Sequence, residues 1–109
     1  MIHVLNKLVR DKIPEKIAER CEHADYDVLD DVRYREELIK KMHEETEEFD
    51  KDNTVEELAD MYEVFCALVA QSGHSMSDVL QAAEQKKEKN GAFEKRYFLK
   101  MHNERGIFR

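Results

Sequence analysis

Between Leu58 and Ala70 the chain reads LADMYEVFCALVA, thirteen residues of which Asp60 and Glu63 alone are polar. The stretch is introduced by Thr54 in "TVEE", a capping-box pattern with Glu57 at the third helical position, so it reads as a helix from residue 54 to about residue 71. A helix that is apolar nearly all round is buried on most sides. A chain of 109 residues builds only a modest core. This helix is therefore expected to be central and to be covered in part by another subunit. Its longest uncharged apolar run, "VFCALVA" at 64–70, is far too short to span a membrane.

The rest of the chain is also helical in pattern. One Pro and three Gly are too few for the many turns of an all-β design. Pro14 suits the first turn of a short helix over about 13–22. "ADYDVLDD" reads as an extended connection, and Asp30 or Asp31 can cap a second helix that runs to about Phe49. Tyr34, Leu38, Met42 and Phe49 fall near one stripe of it. "DKDN" breaks the pattern before Thr54. Gly73 ends the third helix, and "SMSD" offers another capping box with Ser75 and Asp78. A fourth helix then runs to Asn90 and stops at Gly91. The expectation is a compact all-α bundle of about four helices, forming one domain over 1–109. Its tail after about residue 100 is expected to be poorly ordered.

Charge restricts the partners. The formal net charge of −7 opposes binding to a nucleic-acid polymer, whose phosphates would repel the chain unless its basic residues cluster. A small phosphorylated ligand held through a metal ion is still allowed. Cys21 and Cys66 lack metal-site or redox spacing and read as small hydrophobes of a reducing compartment. "MIHVLNKLVRDK" lacks the apolar core of a signal peptide, so the expected location is cytoplasmic.

The acidic residues carry the chemistry. In "HEETEEFDKDNTVEELAD", residues 43–60, Glu45 and Glu48 are three apart on one helix, and Glu57 and Asp60 are three apart on the next. Residues so spaced share a helix face. The link between the helices is short, so they should lie antiparallel, and level residues in such a pair have a constant index sum. Glu45 with Asp60 has the same sum as Glu48 with Glu57, so the four carboxylates are expected to form a square across the hairpin. Two like charges ~4 Å apart cost about 4 kcal/mol at an effective dielectric near 20. Protonation or a divalent cation relieves that repulsion, and hard carboxylate oxygens suit Mg²⁺ or Mn²⁺. With 25 acidic residues in the chain, an ExxE pair is ordinarily a solvated face. The matching ExxD and the apolar surroundings of Asp60, where an unpaired carboxylate is expensive, argue for the site. A calcium-loop reading that starts at Asp50 and Asp52 fails, because Val55 stands where Gly is needed and Met61 where a bidentate Glu is needed.

"EETEE" followed by "EELAD" resembles the EExxE…ExxD signature of the MazG-like, all-α nucleoside triphosphate pyrophosphohydrolases, a superfamily that includes phosphoribosyl-ATP pyrophosphohydrolase. "NKLVRDKIP" and "KKEKNGAFEKRYFL" resemble a small single-domain branch of it, and the likeness is spread over roughly residues 6 to 99. Two features depart from the wider pattern: eight residues lie between Glu48 and Glu57, fewer than in many members, and GAF replaces the commoner GGF. The resemblance implies a metal-dependent hydrolase that cleaves a nucleoside triphosphate between the α and β phosphates, giving a monophosphate and pyrophosphate. It implies Glu45, Glu48, Glu57 and Asp60 as metal ligands. Glu44 would be an extra ligand or the group that orients water, so Glu44 and Glu45 are the expected catalytic pair. House-cleaning of aberrant nucleotides is a further implication. The apolar third helix argues for assembly, into a homodimer or homotetramer.

A phosphate ligand calls for a basic counterpart. Lys86, Lys89 and Arg96 near the end of the chain and Arg10 near its start are the candidates for substrate binding. The lysines have an equally good role as cations at a helix C-terminus, whereas the two arginines suit bidentate phosphate contact. The rival reading is a non-catalytic helical module that binds a nucleotide or a protein through its acidic face.

Overall fold

The computed structural model describes residues 1–104. Among them are four helices and no strand: α1 (Ile13–Glu19), α2 (Asp31–Asp52), α3 (Val55–Gln71) and α4 (Met76–Asn90). The all-helical class expected from the sequence is therefore observed. Of the tail beyond residue 100, positions 105–109 lie outside the described residues.

Local chemistry accounts for each boundary. Pro14 stands in the first turn of α1. The helix stops at Glu19, three residues earlier than expected, because Cys21 turns into the left-handed region (φ 59) and donates its N–H to the Ala18 carbonyl. Asp30 caps α2 by accepting the Arg33 N–H at 2.8 Å. α2 then continues three residues beyond its expected end, to Asp52. Its stop is Asn53 (φ 45), whose N–H reaches the Phe49 carbonyl at 2.8 Å. Asn tolerates this backbone better than most residues. Thr54 follows at once and accepts the Glu57 N–H at 3.3 Å, which starts α3. Asn53 and Thr54 thus form the whole connection.

The chain divides into two compact units, Met1–Met76 and Ser77–Arg109. In the first, α2 and α3 pack side by side as an antiparallel hairpin. Leu38, only 2% exposed, meets a core that includes Val64 and Val69. The predicted α2 stripe holds, since Tyr34, Met42 and Phe49 are half-buried on the helix that carries the buried Leu38. At the open end Gln71 ties the helices together: it donates to the Asp31 carbonyl at 3.5 Å and accepts from Arg35 at 3.4 Å. The apolar character of α3 exceeds what α2 covers. Val55, Leu58, Tyr62 and Phe65, spaced as one helix stripe, stay exposed. In the second unit α4 ends at Gly91 (φ 85), whose N–H bonds the Lys87 carbonyl at 2.7 Å. No helix of the described residues is long and apolar enough to cross a membrane.

Substitutions at two positions test this account by urea unfolding. Leu38→Ala should cost about 2–5 kcal/mol, as for other large-to-small changes in a core. Asn53→Gly should be nearly neutral, while Asn53→Val should cost at least ~1 kcal/mol because a β-branched residue resists positive φ. An inert Asn53→Val would mean that the left-handed turn does not set the end of α2.

Candidate metal centre

The short connection brings carboxylates from both helices together at the turn end of the hairpin. Glu45, Glu57 and Asp60 each offer an oxygen within 4.8 Å of the others. A second group, Glu48, Asp52 and Glu57, satisfies the same limit, so Glu57 is common to both. All four carboxylates of the expected square thus fall in these two groups. Glu45 is buried, at 8% exposure, while Glu48, Glu57 and Asp60 are half-buried.

Asp52 is the addition that sequence reasoning missed. Ending the second helix near Phe49 left Asp52 in a turn. Because α2 reaches Asp52, that residue lies one helical turn beyond Glu48 on the same face. The signal was present as an i, i+4 acidic pair followed by Asn, a residue that commonly ends helices.

The electrostatics show strain and its partial relief. Burial pushes the Glu57 carboxyl above its ordinary range, and the charges of Asp60, Glu48, Asp52 and Glu45 push it the same way. Its backbone N–H meanwhile serves the Thr54 cap. Two cations of the chain answer the acidic groups. Arg10 donates to Asp60 Oδ1 at 2.6 Å. Lys41 lies 3.3 Å from Glu45 and 3.5 Å from Glu44.

Glu44 is in neither carboxylate group. It faces Lys41 and also Lys7 at 3.7 Å, beside Glu45 but turned toward the N-terminal segment. An open cleft of about 400 Å³ lies there, lined by Lys7, Lys40, Lys41, Glu37 and Glu44 together with Leu5, Asn6 and Leu8. These three lysines were not anticipated. For Lys40 and Lys41 the clue was "KKMHEE" at 40–45, which puts lysines three and four residues before the acidic motif. Of the expected substrate contacts, Arg10 is at the site, engaged with a carboxylate. Lys86 and Lys89 belong to α4, and Arg96 to the left-handed turn after it (φ 58), all within the second unit.

As a donor set these groups fit a hard divalent cation. The oxygens are carboxylate, they come from two rigid helices, and a guanidinium already occupies one of them as a stand-in cation. Taken together they form a carboxylate-rich cluster on a helical hairpin, with the donor atoms to hold a metal ion. Comparison with known protein families, curated proteins and solved structures gave no match.

Linkage gives a prediction. A carboxyl raised in the folded state holds its proton at a pH where the unfolded chain has lost it. The folded state then binds more protons, and stability falls as pH rises through that interval. In EDTA, Glu57→Gln should therefore melt above the wild type at neutral pH. The difference should shrink as pH falls through the raised value toward the ordinary 4.5. Thermal melts over that range provide the check, and a wild type that gains on the variant as pH rises would contradict it.

Proposed function

We propose that this protein is a metal-dependent nucleotide pyrophosphohydrolase that splits a nucleoside triphosphate, or a related phosphoanhydride, between the α and β phosphates. The observation that carries the reading is the convergence of Glu45, Glu48, Asp52, Glu57 and Asp60 from two helices into overlapping groups within 4.8 Å. The resemblance of "EETEE…EELAD" to MazG-like enzymes supplies the reaction class. These five residues would hold Mg²⁺, with Mn²⁺ as a substitute. Such an ion, when bound, supplies charge neutralisation for the phosphates and acidifies water.

The chain's own groups fill the remaining roles. Glu44, outside the carboxylate groups but next to Glu45, takes the proton of the attacking water as general base. The water oxygen bonds to phosphorus, the anhydride P–O bond breaks, and the electron pair leaves on the other phosphate fragment. Monophosphate and pyrophosphate result, and the proton passes to solvent. Lys41 holds Glu44 beside Glu45. The neighbouring cleft of about 400 Å³ is within the size range of small-molecule sites, and Lys7, Lys40 and Lys41 supply it with positive charge for phosphate.

The same reading includes self-association. Val55, Leu58, Tyr62 and Phe65 form an exposed apolar stripe on the helix that carries Glu57 and Asp60. A second copy of the chain is its proposed cover, in a homodimer or homotetramer. Light scattering should give a mass at least twice 13.0 kDa, and Leu58→Glu should lower it. A wild-type mass of one chain would count against the assembly.

The activity is tested by pyrophosphate release from a panel of common and modified nucleoside triphosphates with Mg²⁺, Mn²⁺ or EDTA. Release should need the metal and yield pyrophosphate rather than orthophosphate. Glu48→Ala should lower the rate by at least ~100-fold, the loss of a direct ligand exceeding that of an outer partner. Its melting temperature without metal should match or exceed the wild type. No release from any substrate would overturn the reading and favour a non-catalytic binding module.

A further inference from the structure

The ion pair between Arg10 and Asp60 joins the N-terminal segment to the acidic groups. Arg10 comes from a pinned stretch of backbone. Leu8 and Val9 before it are half-buried, and its own carbonyl accepts the Ile13 N–H at 3.0 Å as the chain enters α1. Its guanidinium reaches 50 residues along the chain to Asp60 Oδ1, at 2.6 Å. Asp60 in turn lies within 4.8 Å of Glu45 and Glu57. Lys41 holds Glu45 in the same way. Two of the three carboxylates of this group are thus already paired with cations of the chain itself.

We propose that Arg10 is an internal competitor for the cation site: it neutralises Asp60 when no metal is bound and gives it up when a divalent ion arrives. The inference rests on the metal reading proposed above. A guanidinium stays charged at any working pH, so it cannot leave by losing its proton. A dication held by Asp60 and its neighbours would sit a few ångströms from that charge and repel it. The pair is also the kind that yields. Arg10 is 59% and Asp60 39% exposed in their side chains, and exposed pairs are held weakly. Once displaced, the same planar fork is free for a phosphate oxygen pair. The substrate contact expected of Arg10 from the sequence then depends on the metal binding first.

The test is Mn²⁺ binding without nucleotide, followed by electron paramagnetic resonance of the free ion. Wild type is compared with Arg10→Gln, Arg10→Lys, Lys40→Gln and Glu57→Gln. Removing the competitor should tighten Mn²⁺ binding about 3- to 5-fold, the scale of an exposed ion pair. Arg10→Lys should stay near wild type. Lys40→Gln removes the same charge from a side chain paired with Glu37, 3.2 Å away, and should also stay near wild type. In the wild type, Mg²⁺ should speed amide hydrogen exchange over residues 8–13. If wild type binds Mn²⁺, Glu57→Gln weakens it and Arg10→Gln leaves it unchanged or weaker, the metal site stands and the competitor role falls. An equal gain in Lys40→Gln would reduce the effect to net charge and overturn the role as well. Absence of binding in every protein would overturn both the metal reading and this one.

Discussion

Carboxylates from both arms of the α2–α3 hairpin lie within 4.8 Å of one another, and repulsion at that range is the force to which their neighbours respond. The placement of Arg10 on Asp60 and the contact of Lys41 with Glu45 are two separate responses to it, and the same charges add to the burial that raises the Glu57 carboxyl. Holding the arrangement against that force requires a rigid frame. The frame is a two-residue connection closed by the Asn53 turn and the Thr54 cap, with Leu38, Val64 and Val69 packed above it and Gln71 tying the far end. Without the hairpin the charges would separate into water. With it, they have three remedies: protons, the chain's own cations or a metal ion.

The helix termini sharpen this choice. Asp52 stands in the last turn of α2, where exposed carbonyls make the potential negative. Glu57 stands in the first turn of α3, where the dipole favours an anion. Its carboxyl is nonetheless pushed up, by burial first and then by the charges of Asp60, Glu48, Asp52 and Glu45. Glu57 belongs to both groups, so it is the residue at which the two loads meet.

Much of this was legible in the sequence because helical spacing is a strong constraint. Capping residues at Asp30 and Thr54, the stripe from Tyr34 to Phe49, and the matched pairs Glu45–Glu48 and Glu57–Asp60 all depend on one period, and the structure keeps them. Asp52 escaped because propensity argues weakly over "DKDN". The polar residues of that stretch fit a turn as well as a last helical turn, and only the conformation of Asn53 decides between them. Arg10 could be read as a basic residue of the opening block, but not as the partner of Asp60, and nothing pointed to Lys7 as the partner of Glu44. Those pairings join residues far apart in the chain, and no periodicity encodes them.

The apolar excess of α3 and the acidic groups are linked by geometry. Asp60 must share a helix face with Glu57, and the stripe of Leu58, Tyr62 and Phe65 looks to another side of the same helix, roughly 140° round it at 100° per residue. Packing the whole apolar surface against α2 would turn the helix and carry Glu57 and Asp60 out of register with Glu45 and Glu48. The hairpin therefore buries Val64, keeps the carboxylates level, and leaves the stripe of Leu58, Tyr62 and Phe65 uncovered. A cover supplied by a second copy of the chain would satisfy the stripe without rotating α3. On this argument, the exposed stripe is a consequence of fixing the carboxylates across a single hairpin.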